Sequence, residues 1–305
     1  MQTLRILCPA QSSVHDPVDL KSLKSCINVE HRRSVLKWLF ESLELLKIEE
    51  RVFFSSLALA DRYCSKIGGA SVTRTASIEG SELQLVILSS LCCSLKTCES
   101  SLDMSVKAFM DHISGGHVQS RDIFSMETRI LNEVDFDVFR PSYPVFLESF
   151  FYILSRTPIE MVACPLEQPP SPRTLPTWAA QQYQLSLFLL SLTAFHVDTF
   201  HAVRPPLLIS ACIMTAAYTL CDQKLDSLEF QTILDALCEA GWFDNNSHDV
   251  GFIVRHMSRF WKRAPMEIGE EAYKSVFRIF DTDQRYHVSR LNPANYSSET
   301  VTSGG

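Results

Sequence analysis

The stretch LQLVILSSLCCSLK, residues 83–96, decides the fold class of this chain. Apolar or small side chains occupy nearly every position, so a helix formed here is apolar almost all round. Such a helix is typical of the centre of a helical bundle, whereas a surface helix keeps one polar face. We therefore predict that residues 83–95 form the central helix of an all-α domain.

Amphipathic segments on both sides of this stretch indicate further helices, and no segment strongly indicates a strand. The predicted first bundle contains helices over 33–47, 52–63, 83–95 and 103–113, and a fifth that follows Ser120 as its N-cap. The pattern then begins again, with predicted helices over 144–154, 178–195, 206–218, 228–238 and 248–261. A final helix is predicted over 266–280, and Asp16-Pro17 predicts the start of a short N-terminal helix that ends near Ile27.

These helices divide the chain into four parts. An N-terminal segment (1–30) precedes a first bundle (31–140), a second bundle (141–264), and a C-terminal helix with a polar tail (265–305). The 305 residues are enough for two cores of ordinary size. The composition, with 46% hydrophobic and 21% charged residues, is that of a folded protein rather than a disordered one.

Composition and motifs exclude several classes of function. The net charge of −7 argues against nucleic acid as the main partner, because phosphate binding requires a basic surface. The longest apolar stretches, such as 183–195, are shorter than the ~20 residues of a membrane span. The ten cysteines contain no CxxC pair, and the histidines contain no HExxH. We therefore predict no metal and no cofactor, and, because no P-loop or nucleophile motif is present, no enzyme activity.

Four stretches of the first bundle resemble the N-terminal box of the cyclins. They are RRSVLKWL (32–39), LALADRY (57–63), residues 83–96, and the pair Met126-Glu127 with its apolar neighbours. Their spacing is also similar to that of the family: Arg32 and Asp61 are 29 residues apart, and Gln84 and Lys96 are 12 apart. In the second half, residues 207–212 resemble the core helix of the C-terminal box. Residues 272–274 and 287–293 resemble the closing segment of mitotic, A/B-type cyclins.

The resemblance implies two tandem five-helix cyclin boxes with a short N-terminal and a C-terminal helix. It implies a non-catalytic regulatory subunit that binds and allosterically activates a cyclin-dependent Ser/Thr protein kinase in cell-cycle control, in the nucleus and cytoplasm. Lys96, Glu99 and Glu127 match the family's kinase-binding positions, while Arg32 and Asp61 match an internal salt bridge. The residues alone also allow another interpretation. In it, Lys96 covers the core with its aliphatic stem, and Glu127 is a solvated carboxylate on a helix.

A second surface is implied by Trp38, Glu41, Leu83 and Gln84, which match the patch where cell-cycle cyclins hold Arg-x-Leu segments of substrates or inhibitors. Here His31 and Ser34 replace two apolar residues of the family pattern, so the pocket is more polar, and Trp38 is also explained as a core residue. Two other functions stay open: a nucleic-acid-binding transcription protein with paired cyclin folds, which a basic stripe on the second box favours, and a scaffold that activates no kinase.

Overall fold

The computed structural model describes residues 18–70, 78–98, 104–155, 175, 177–221, 224–244 and 249–293, and across them it is helical with no strand. The helices are α1 (Leu20–Cys26), α2 (Val29–Leu45), α3 (Glu50–Ala70), α4 (Gly80–Thr97), α5 (Val106–Ile113), α6 (Ser120–Glu133), α7 (Tyr143–Ser155), α8 (Thr177–Ala194), α9 (Val197–His201), α10 (Pro205–Leu220), α11 (Leu228–Glu239), α12 (Val250–Glu267) and α13 (Glu270–Phe280). Two 3-10 turns, Asp283–Arg285 and Val288–Arg290, follow α13. The predicted all-α class is confirmed.

The described residues form two compact units. The first unit contains residues 18–145 together with Ala194–Ala202, and the second contains residues 146–193 and those from Val203 onward. The segment Ala194–Ala202 therefore belongs to the first unit, although in sequence it lies between α8 and α10. The domain boundaries expected from the sequence, at 30/31, 140/141 and 264/265, stay predictions.

Helix α4 lies at the centre of the first unit, as predicted. Leu83 and every residue from Val86 to Leu95 are buried. The helix packs against α2, α3, α5 and α6, which explains why it has no polar face. The sequence of this one helix thus positions the other four helices of the bundle around it.

The short helices α1 and α9 complete the first unit. Asp19 caps α1 by accepting a hydrogen bond from the Lys21 N–H, and α1 then packs tightly on α3. The approach is so close that a Cβ atom at Gly68 of α3 would lie 2.3 Å from the carbonyl oxygen of Ser22. On its other side α1 contacts α9, where Lys24 forms an ion pair with Asp198.

Helix α10 lies in the interior of the second unit. It buries every residue from Leu208 to Tyr218 and packs against α11 and α12. Aromatic side chains connect the other helices: the ring of Phe188 on α8 lies 5.8 Å from Trp261 of α12 and 5.5 Å from Phe280 of α13. Edge-on aromatic pairs of this kind contribute about 0.5–1.5 kcal/mol each beyond their burial.

Several predicted helix ends are wrong. The predicted final helix from Met266 is two helices, because α12 continues through Pro265 to Glu267 and Gly269, at φ 82°, starts α13 afresh. Only glycine adopts this backbone conformation at little cost, so the break depends on Gly269. Helix α6 includes Ser120 as its first residue, with Gln119 as N-cap, and α1 starts at Leu20 after Asp19. The predicted N-terminal start at Asp16-Pro17 lies outside the described residues.

Candidate protein-binding surface

The most distinctive charged pair of the first unit joins the last turn of α4 to the middle of α6. Lys96 Nζ donates hydrogen bonds of 2.6 and 2.8 Å to the two carboxylate oxygens of Glu127. The Lys96 side chain is 44% exposed, whereas that of Glu127 is 10% exposed. The pair therefore presents its cation at the surface and keeps its carboxylate withdrawn beneath it.

Two thiols and one aromatic ring surround this pair. Cys92 and Cys93 each donate a weak S–H hydrogen bond to the Glu127 carboxylate, at 3.7 and 3.6 Å. Lys96 Nζ also lies 5.3 Å from the centre of the Phe124 ring, within the range of a cation–π contact. The carboxylate thus accepts four hydrogen bonds from three donor groups, and the ammonium contacts both a carboxylate and an aromatic ring.

The charges of the pair alter the acidity of their neighbours. Burial would lower the pKa of Lys96, but its hydrogen bonds to Glu127 act together with nearby negative charge, including that of Glu127, and raise it, so the lysine stays a cation. Burial, together with the negative charge of Glu127, raises the pKa of Cys92 to about 11 and that of Cys93 to about 12. Both thiols therefore stay protonated and act as donors to the carboxylate at neutral pH.

A buried hydrogen bond between α4 and α6 aligns the two helices so that Lys96 reaches Glu127. Ser89 Oγ donates a 3.0 Å hydrogen bond to the carbonyl oxygen of Ile123, inside the contact between α4 and α6. Lys96 follows Ser89 by two helical turns, and Glu127 follows Ile123 by about one turn. The long lysine side chain bridges the remaining gap, so the pair depends on a buried contact farther along the same two helices.

The third predicted kinase-binding residue, Glu99, lies outside the described residues. Cys98, immediately before it, ends α4 as the C-cap, and its thiol lies 3.6 Å from Ser55 Oγ of α3. Of the three residues that the sequence assigned to this surface, the structure therefore brings together Lys96 and Glu127.

The predicted docking patch lies where α2 packs against α4. Trp38, Glu41 and Gln84 are half-buried, whereas Leu83 is only 2% exposed and belongs to the core. Lys37 Nζ forms a 3.4 Å ion pair with Glu41. The accessible part of this patch consists of the tryptophan, the acid and the amide, with Leu83 beneath them.

His31 borders this patch. The nearest atom of its ring would lie 3.3 Å from a Cβ atom at Gly80, the first residue of α4. A larger side chain at Gly80 would have to push the imidazole aside. His31, which is polar where the family pattern has an apolar residue, thus lies beside the first residue of the central helix.

Arg32 and Asp61 form a buried salt bridge in the first unit. Arg32 donates from Nε to one Asp61 oxygen at 3.0 Å and from a terminal nitrogen to the other at 2.7 Å. Its other terminal nitrogen donates to the carbonyl oxygen of Ala194 at 3.0 Å. Both side chains are at most 5% exposed. A guanidinium suits this position because its planar fork satisfies all three acceptors at once.

The sequence interpretation missed a third member of this cluster, His201. Its Nε2 lies 2.8 Å from Asp61 Oδ2, and its side chain is 7% exposed. Burial alone would raise the pKa of Asp61, but the charge of Arg32 and the hydrogen bond from His201 dominate and lower it to about 2. No local pattern indicates this contact, because His201 lies on α9, far along the chain from Asp61.

The described residues include no group of three or more histidine, cysteine or acidic side chains that could hold a metal ion. The eight cysteines among them are free thiols. None of the described helices combines the length and the hydropathy that crossing a membrane requires.

Comparison with known protein families finds a match in the N-terminal part of the chain. Residues 6–139 match the family model of the cyclin N-terminal domain, and residues 140–305 lie outside the match. No curated protein matches the chain significantly. Cyclin domains are regulatory rather than catalytic, and they generally bind cyclin-dependent kinases. The matched range contains both Lys96 and Glu127. Residues 6–139 of this chain are thus similar to the cyclin N-terminal domain.

Proposed function

We propose that this chain is a regulatory subunit that binds a cyclin-dependent Ser/Thr protein kinase and activates it. The observation that carries the proposal is the Lys96–Glu127 pair, whose partly exposed cation is held in place by a withdrawn carboxylate. In the family that residues 6–139 match, this pair of positions contacts backbone near the regulatory αC helix of the kinase. The chain itself contributes a rigid surface, and the chemistry stays in the partner.

In this proposal, binding activates the kinase by shifting the equilibrium between its inactive and active conformations. An inactive kinase keeps the αC glutamate away from the lysine that orients the ATP phosphates. A partner that binds only the inward position of αC stabilises the active conformation by its difference in affinity between the two. The surface proposed here is built from α4, α5 and α6, whose positions are fixed by the buried face of α4.

The pair is suited to this task because it is already organised before binding. Lys96 is held by two hydrogen bonds and an aromatic contact, so it loses little conformational freedom on contact with a partner. A charged group that becomes desolvated at an interface costs free energy unless it is paired. Glu127 supplies that compensation within the chain, while the remaining Lys96 hydrogen-bonding capacity is available to kinase carbonyl groups.

Binding to a purified monomeric cyclin-dependent kinase tests this proposal, with affinity measured by calorimetry. Lys96→Met/Glu127→Gln removes both charges together and leaves no unpaired buried carboxylate. We expect binding to weaken by about 2–5 kcal/mol, that is, by roughly thirtyfold or more. The matched control is Lys66→Met/Asp135→Asn, which removes a 2.9 Å ion pair between α3 and the turn after α6 and has a similarly exposed lysine. Equal affinity for the wild type and the Lys96 variant would contradict the proposed interface.

Three finer parts of this proposal rest on the sequence motifs that resemble those of cell-cycle cyclins, and not on the family match of residues 6–139. We propose that the chain acts in cell-cycle control, at mitosis, as A/B-type cyclins do, and that it works in the nucleus and cytoplasm. We also propose that Trp38, Glu41 and Gln84 hold Arg-x-Leu segments, with the Glu41 carboxylate opposite the arginine and the indole against the leucine. The alternative is a helical scaffold or transcription protein that activates no kinase. It predicts that kinase activity does not depend on Lys96.

A further inference from the structure

Helix α12 of the second unit presents a basic face to solvent. Val254, Trp261 and Ala264 are buried on one side of the helix. On the other side His256, Arg259, Lys262 and Arg263 are all exposed. Their spacing places these four residues, which we call the basic face, within about 120° of the helix circumference. Most of the charge of α12 is therefore concentrated on one side.

This concentration is unusual in a chain with a net charge of −7. Among the described residues, neither Arg259 nor Arg263 forms an ion pair. Like charges four residues apart destabilise a helix, so the pair Arg259 and Arg263 does not contribute to the stability of α12. The ion pair between Arg255 and the N-cap residue Asp249 is 3.8 Å long and lies at the start of the helix. Within the basic face, Arg259 and Arg263 are thus the groups available to an anionic partner.

A groove of about 430 Å³ adjoins the basic face, and Lys262 belongs to both. Tyr273, Phe277 and Leu291 supply apolar surface to the groove. Arg290 lines the same groove, and one of its guanidinium nitrogens donates to Asp281 at 3.1 Å. The groove therefore combines apolar walls with two cations at its edge.

We propose that the basic face and this groove form a docking surface for an acidic linear segment of a partner protein. The basic face extends from residue 256 to 263, about 10 Å along the helix axis. Three or four residues of an extended peptide, at roughly 3.3 Å each, span that distance. Carboxylates of such a segment pair with the guanidinium groups of Arg259 and Arg263, and an apolar side chain beside them enters the groove. This inference does not depend on the kinase partner proposed above.

Nucleic acid also carries negative charge, and a basic stripe on the second unit is the feature that the transcription-protein alternative requires. Two observations favour a peptide. The stripe is only four residues long in a chain that is acidic overall, whereas nucleic-acid binding draws on a broad basic surface. The adjoining groove has walls of Tyr273, Phe277 and Leu291, which suit a single apolar side chain.

Fluorescence anisotropy with the full chain tests the proposal. The probe is a labelled peptide of eight residues, rich in aspartate and glutamate, with one central phenylalanine. We expect saturable binding that weakens as salt is raised, since the pairs are exposed. Replacing the phenylalanine of the probe by glycine should weaken binding at least fivefold, and Arg259→Glu/Arg263→Glu should weaken it at least tenfold.

The control variant is Arg121→Glu/Arg129→Glu, which makes the same change of charge on the exposed side of α6 in the first unit. Loss of binding in the α12 variant, with near-normal binding in the control, supports the docking surface. Three results would overturn it: no binding of the probe at low salt by the folded chain, equal losses in both variants, or tighter binding of single-stranded DNA of the same charge with the same dependence on Arg259 and Arg263.

Discussion

His201 Nε2 lies 2.8 Å from Asp61 Oδ2, although 140 residues separate the two in the sequence. Because the carboxylate can only accept, the imidazole donates its Nε2 proton to it. Asp61 also accepts from Arg32, which in turn holds the carbonyl oxygen of Ala194. The cluster thus ties both ends of the segment Ala194–Ala202 to α2 and α3 of the first unit.

This arrangement predicts a specific contribution of His201 to stability. His201→Leu should lower the free energy of unfolding by about 1–3 kcal/mol, because the buried Asp61 Oδ2 then keeps only its hydrogen bond from Arg32. His201→Gln, which can place an amide N–H near the same oxygen, should recover part of the loss. Urea unfolding of the three proteins measures the effect. If His201→Leu and His201→Gln are equally destabilised, the hydrogen bond is not what stabilises this segment.

The lowered pKa of Asp61 predicts a dependence of stability on acid. The folded-state pKa is about 2, below the ordinary value of 3.8, because Arg32 and His201 outweigh the effect of burial. The stabilisation is therefore fully present above about pH 4 and is lost as the pH falls toward 2. Its size is on the order of 2 kcal/mol. Asp61→Asn, which cannot titrate, should show a smaller loss of stability over this range, and an equal loss in both proteins would contradict the assignment.

The unequal burial of Lys96 and Glu127 predicts unequal effects of their substitution on folding. Lys96→Ala leaves a carboxylate that is 10% exposed with only two weak thiol donors, and should cost about 1–3 kcal/mol. Glu127→Gln leaves an ammonium that is 44% exposed and can be hydrated, so it should cost less. Thermal unfolding of both variants and of Lys96→Met/Glu127→Gln measures the difference. The double variant should be more stable than Lys96→Ala, and the reverse order would contradict the described pairing.

The proposed docking patch predicts that peptide binding and kinase activation can be separated. Trp38→Ala should weaken binding of an Arg-x-Leu peptide about tenfold, since the indole is the main accessible apolar surface of the patch. Glu41→Gln should weaken it less, and only for peptides that keep the arginine. Neither change should alter activation measured on a substrate without the segment. Unchanged peptide binding in both variants would assign Trp38 to packing alone.

The sequence predicted the fold because the strongest signal was local. Residues 83–95 are apolar on every side, and only a central position satisfies such a helix. It failed at α12, where Pro265 lies inside the helix and the break comes instead at Gly269 with its positive φ. A proline near a helix end is compatible with continuation when the preceding turn is well packed, and sequence alone does not reveal that packing.

The candidate site shows the same division between local and distant signals. Lys96 and Glu127 are predicted as functional from the resemblance to the cyclin family, and the structure adds that the two side chains form an ion pair with each other. His201 was missed because its contact with Asp61 depends on where the chain returns to the first unit after α8. The basic face of α12 was missed for another reason: its charges were counted within a net charge of −7, which hides their concentration on one side of one helix.

Phosphotransfer by a purified monomeric cyclin-dependent kinase tests the central proposal most directly. Its rate on a short peptide substrate is compared without this chain, with it, with Lys96→Met/Glu127→Gln, and with the control Lys66→Met/Asp135→Asn. We expect a large activation that the Lys96 variant loses and the Lys66 variant keeps. No activation by the folded wild-type chain across several such kinases, or full activation by the Lys96 variant, would contradict it.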